Sequence, residues 1–148
     1  MFSRIARIAA GISLIATSTL AQAYTSQTVD DSIDNVTFSL ESAILDKGLA
    51  IDFISHTGEM LERTREDVGS DVVLFTEATI FNFCSARISR QVMEADITNI
   101  AFCPYAIFVY ATPDNPDQTI IGHRTYPGTS MQPANALLDA IIADAVRE

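Results

Sequence analysis

The sequence predicts an α+β fold, a mostly antiparallel sheet with helices packed on one face. Two observations lead there. Segments with helical apolar spacing interleave with segments rich in β-branched and aromatic residues. The most apolar strand, 102–111, is followed by a turn-rich stretch and a further strand-like run, 119–126, so those two read as an antiparallel hairpin.

The elements follow in order. Tyr24 to Val29 (YTSQTV) alternates and predicts a first strand. Ser32 or Asp34 can cap a helix, because a short side-chain oxygen accepts from the free N–H groups of the first turn. Val36, Leu40, Ala43 and Ile44 then fall on one helical stripe. Gly48 ends it, since glycine tolerates the left-handed conformation. LAIDFIS, residues 49 to 55, alternates as a strand does. Thr57 opens a second short helix, expected to turn Met60, Leu61, Thr64 and Val68 inward and to stop at Gly69. Residues 71 to 75 are ambiguous. Residues 78 to 83 (ATIFNF) read as a strand. Ser85 caps a third helix with Ile88, Val92 and Ala95 as its buried row and Arg87, Arg90 and Glu94 toward water. Phe102 to Ala111 is the apolar strand, with Pro104 placing its start at an edge or bulge. Residues 112 to 118 (TPDNPDQ) form the hairpin loop, and Thr119 to Tyr126 returns. Thr129 or Ser130 opens a last helix whose apolar face is Leu137, Leu138, Ile141, Ile142 and Ala145.

The first 23 residues read as a secretory signal. Arg4 and Arg7 precede an apolar stretch from Ile8 to Leu20, and Ala21-Gln22-Ala23 offers a cleavage site. That stretch is shorter than the roughly 20 residues a membrane span needs. Residues 24 to 148 then form one domain, and the expected location is periplasmic or secreted. The formal charge is −10, and loss of two arginines with the signal takes it to −12. Such a surface repels phosphate backbones and anionic lipid, which argues against nucleic acid and membrane partners and favours a basic partner or a cation.

Three blocks carry a family resemblance: GLAIDFISHTGEML at 48–61, FCSARISRQVMEAD at 83–96, and the strand entered through Cys103-Pro104. Together they resemble the domain-of-unknown-function family numbered 302, over nearly the whole of residues 24 to 148. The resemblance implies a small α+β fold similar to the TATA-binding-protein-like arrangement of helices on a curved antiparallel sheet, and often a homodimer. It implies no catalytic residue.

The chemistry-bearing residues are few. The only cysteines, Cys84 and Cys103, each follow a Phe. An oxidising compartment favours a disulfide between them. Two buried thiols, or a redox or metal-binding pair, are the alternatives. His56 and Met60 stand four apart and are the metal candidates, with copper or haem iron as the matching cofactor. Arg87, Arg90 and Tyr105 are the candidates for a ligand groove between sheet and helices. Missing are a Gly-x-Ser-x-Gly elbow, a glycine-rich phosphate loop and a Cys-x-x-Cys-His haem attachment. The expected function is therefore a non-enzymatic domain, without cofactor, that binds a small ligand or a protein partner. The alternative is a periplasmic redox or metal protein using the two cysteines.

Overall fold

Ser32 sets where the first helix begins, its side chain accepting from the Asn35 N–H at 3.3 Å. The computed structural model describes residues 23–147, so the predicted signal lies outside the described residues save for Ala23. Among those residues the order is β1 (Tyr24–Val29), α1 (Ile33–Asp46), β2 (Ala50–Ser55), α2 (Thr57–Thr64), β3 (Glu77–Cys84), α3 (Ala86–Ala95), β4 (Tyr105–Thr112), β5 (Asn115–Arg124) and α4 (Gln132–Ala145). Two 3₁₀ segments, Ile97–Phe102 and Thr129–Met131, precede β4 and α4. No helix among the described residues is long and apolar enough to cross a membrane.

The five strands form one sheet in the order β1-β5-β4-β3-β2, with every neighbouring pair antiparallel. This is the predicted α+β class. Because strand side chains alternate between faces, the register sorts them. Phe81 opposes Ile107, Phe83 opposes Tyr105, Ile107 opposes His123, and Val109 opposes Ile121. All of these are buried. Leu40 and Ile44 of α1, Ile88 and Val92 of α3, and Leu138 and Ile141 of α4 join them in the core. Fully burying one such side chain stabilises by roughly 1.5–3 kcal/mol, so this single layer of helices on sheet is the main source of stability.

The opposite face carries an aromatic row. Tyr24 meets Phe108 edge-on at 6.2 Å, Phe108 stacks on Tyr110 at 6.1 Å, and Phe75 meets Tyr110 edge-on at 5.4 Å. Phe108 can lie flat here because its cross-strand partner is Gly122. A Cβ on Gly122 would stand 2.6 Å from the Phe108 ring.

Several elements depart from expectation. The second helix ends at Thr64 instead of reaching Gly69, and Met60 and Val68 are exposed. The reason is where α2 lies. The β2–β3 pairing stops at Ser55 opposite Ile80, leaving the first residues of β3 with a free edge, and α2 covers that edge instead of the sheet face. The hairpin loop is the pair Pro113-Asp114, since Thr112 already opposes Asn115. Proline presets the backbone for so tight a turn. Phe102 belongs to the 3₁₀ segment and not to β4. Ala95 is exposed. Neither Thr129 nor Ser130 caps α4; the Ser130 hydroxyl accepts from the Asn99 amide at 3.1 Å instead.

Candidate functional site

The position of α2 rests on Gly58. A Cβ there would stand 2.6 Å from the Ala78 nitrogen and 3.3 Å from the Glu77 carbonyl carbon. Only a glycine lets the helix backbone lie directly on β3. The chain then turns after Thr64 and runs back along α2 through Val72, Val73, Leu74 and Phe75, outside regular structure. Thr76 rejoins the sheet by donating to the Ala111 carbonyl at 2.9 Å.

Between this returning segment, α2 and the start of β3 lies a cleft of about 470 Å³. Its apolar walls are Val73, Phe75, Ala78 and Pro113, and its polar groups are His56, Glu59, Glu62, Thr76, Glu77 and Thr79. Next to it, sharing Gly58, Glu62 and Phe75, a smaller hollow of about 180 Å³ is lined by Leu61, Val68, Val72 and Leu74. The larger cleft falls within the roughly 300–1,000 Å³ of small-molecule sites. Glu62 is paired with Arg65 at 3.2 Å. Glu59 and Glu77 make no ion pair among the described residues. The larger cleft exposes Val73 at 46%, and the smaller hollow exposes Val68 at 75%, Val72 at 61% and Leu74 at 53%. Contiguous exposed apolar surface beside polar groups marks interaction sites. The arrangement therefore offers an apolar body and unneutralised carboxylates to whatever enters.

The second cluster surrounds the cysteines. Cys84 ends β3, Cys103 follows the 3₁₀ segment, and their Sγ atoms lie 2.8 Å apart. No disulfide joins them in this structure, where both are free cysteines. Ser89 of α3 reaches both Cys103 Sγ at 3.9 Å and the Tyr105 hydroxyl, to which it donates at 3.3 Å. The Cys84 thiol is pushed up to about 12, first by burial, then by Cys103 and by the Asp52 carboxylate. The Tyr105 phenol is also raised, mainly by burial, with the Ser89 hydrogen bond opposing it.

The remaining predicted site residues are scattered. His56 caps the N-terminus of α2 without a side-chain hydrogen bond and lines the cleft. Met60, one turn on, is 43% exposed and is not part of the cleft wall. No group of three or more His, Cys, Asp or Glu gathers at metal-binding reach among the described residues. Arg87, Arg90 and Tyr105 share no groove. Both arginines are exposed on α3, Arg90 pairing with Glu94 at 2.9 Å, while Tyr105 is in the core at 1% exposure. The spacing of Tyr105 in its strand turns it toward the helices, whereas the two arginines occupy the opposite side of α3. Sequence reasoning missed Glu59, Glu77 and Phe75 as a set. The usable signal was the Val-Val-Leu-Phe run at 72–75, too apolar for a solvated loop, following a glycine at 58 in an otherwise helical segment.

Comparisons with known proteins bear on the fold. The family model described as "Domain of unknown function DUF302" matches residues 25–148. Among solved structures, a crystal structure of an uncharacterized conserved protein DUF302 from Bacillus stearothermophilus is similar at 18% identity and a TM-score of 0.60. The similarity covers 85% of this chain and 97% of that one. No curated protein matches the sequence.

Proposed function

Since the chain belongs to the DUF302 family, whose description assigns no activity, we propose from the geometry of the cleft that it is a periplasmic or secreted, non-enzymatic module that binds small cationic amphiphiles. One observation carries the reading: the α2 cleft joins an apolar wall at Val73, Phe75 and Pro113 to the carboxylates of Glu59 and Glu77, which pair with no cation among the described residues. An apolar surface with a few placed polar groups is the usual make-up of a small-molecule site. The net charge of the chain adds a long-range field that draws in cations. The signal-like leader supports the location.

The probe is 2-phenylethylamine, protonated at neutral pH, compared with phenylacetate of similar shape and opposite charge. Isothermal titration is expected to show binding of the amine and not of the acid. Phe75→Ala and the Glu59→Gln, Glu77→Gln pair should each weaken it about tenfold, the second effect shrinking in high salt. Equal heats for the two probes, or no binding of the amine at millimolar concentration, would sink the idea.

A further inference from the structure

We propose that Cys84 and Cys103 are an exchange-competent pair that a low-molecular-weight disulfide converts into a bond closing the neck of the segment between β3 and β4. The register locates that neck. The last paired residues are Phe83 and Tyr105. Cys84, the last residue of β3 and still paired with Ala50 of β2, follows one, and Cys103 lies two residues before the other. Everything between them, α3 and the 3₁₀ segment Ile97–Phe102, is a single excursion from neighbouring strands. The Sγ atoms already face each other at 2.8 Å. Closing to a bond length of about 2.05 Å brings the two sulfurs together by less than about 1 Å. Both residues are part-exposed.

The environment orders the two sulfurs. Cys84 is partly buried beside the Asp52 carboxylate and holds its proton, its thiol raised to about 12. Cys103 has the Ser89 hydroxyl at 3.9 Å and, among the described residues, no carboxylate within hydrogen-bonding reach. Cys103 is therefore the attacking sulfur and Cys84 the resolving one. In the first step the Cys103 thiolate attacks one sulfur of R–S–S–R. That S–S bond breaks, a Cys103–S–S–R bond forms, and RS⁻ leaves to take up the proton Cys103 lost. In the second step the Cys84 sulfur attacks Cys103 Sγ, its proton passing to the second departing RS⁻. Two cysteine thiols have lost two electrons, and one disulfide has become two thiols.

The experiment uses the purified protein, first reduced, then equilibrated in its folded state with glutathione buffers of graded oxidised-to-reduced ratio. After an acid quench, thiols are alkylated in denaturant and counted by mass. The expected result is loss of both thiols together over one range of ratios, reversed when reduced glutathione is restored. Cys84→Ser should instead accumulate a glutathione adduct on Cys103. Cys103→Ser should react with oxidised glutathione at least about tenfold more slowly than Cys84→Ser. Two thiols still free in the folded protein at the most oxidising ratio would overturn the proposal. So would a bond that reduced glutathione cannot open, or an adduct on Cys84 in preference to Cys103. The wild-type titration stands even if either serine variant fails to fold.

Discussion

Replacing Asn135 with alanine should remove one of the strongest polar fastenings in the interior. Asn135 lies in the first turn of α4 and is 7% exposed. Its Oδ1 accepts from the Tyr126 N–H at 2.9 Å, and its Nδ2 donates to the Tyr126 carbonyl at 2.9 Å. One amide thus satisfies both backbone groups of a buried residue just past β5. Tyr126 in turn packs on Phe102 at 5.4 Å and Tyr105 at 5.9 Å. Each buried backbone group left without a partner costs about 1–3 kcal/mol. Two give roughly 2–6 kcal/mol, and the better helix propensity of alanine returns about 0.6. The expected loss is therefore about 2–5 kcal/mol. Urea unfolding followed by circular dichroism measures it, provided the slope with urea is unchanged. Asn135→Asp is the sharper companion, because it keeps the acceptor and sets a carboxylate against the Tyr126 carbonyl. It should be at least as damaging at neutral pH. A loss under about 0.5 kcal/mol for the alanine variant would refute the reasoning, since that is the size expected of a surface change.

Three further outcomes follow from the structure. Gly58→Ala should drive a methyl into the β3 backbone and cost about 1–3 kcal/mol, read as a lowered melting temperature together with weaker binding of 2-phenylethylamine. Asp144 accepts from Lys47 at 2.6 Å, and this bond, with Arg147 adding its charge, holds its carboxyl below the ordinary carboxylate range. A lowered folded value means the α1–α4 tie is fully present above the unfolded pKa of about 3.9 and is lost as pH falls through the folded value. The melting-temperature gap between wild type and Asp144→Asn should therefore be flat at neutral pH and vanish in acid; a gap that widens in acid would contradict the assignment. In the reduced protein, the Cys84 thiol, pushed up to about 12 by burial, by Cys103 and by Asp52, keeps its proton at mildly alkaline pH. Iodoacetamide followed by peptide mapping should label Cys103 well before Cys84.

The elements set by neighbours in the chain were legible. Ser32 and Ser85 each cap a helix through the N–H three residues on, and Gly48 takes the left-handed turn at φ 71° that ends α1. The apolar stripe at Val36, Leu40 and Ile44 faces the core as its spacing required. The pairing of Cys84 with Cys103 was also within reach, because a strand, helix and strand in sequence return the chain to its starting point. The family resemblance rested on the same segments. By contrast, the apolar row assigned to the second helix pointed the wrong way. Its spacing is helical, but Leu61 and Val68 meet only the open hollow beside Val72 and Leu74, not the sheet core, and Met60 and Val68 stay exposed.

What the sequence determined alone was the class of the fold, the Ser32 and Ser85 caps, the core-facing stripe of α1 and the acidic charge, all of which depend on local spacing or on composition. Only the tertiary structure decided where the cleft lies and which carboxylates line it. The β2–β3 pairing ends at Ser55 opposite Ile80 and so leaves an edge for α2 to cover. Gly58 lets it settle there, and the Val72–Phe75 run closes over the gap. These contacts join residues about twenty positions apart through the register of a sheet. Register is fixed by which side chains the whole core can bury at once, and no single segment contains that information.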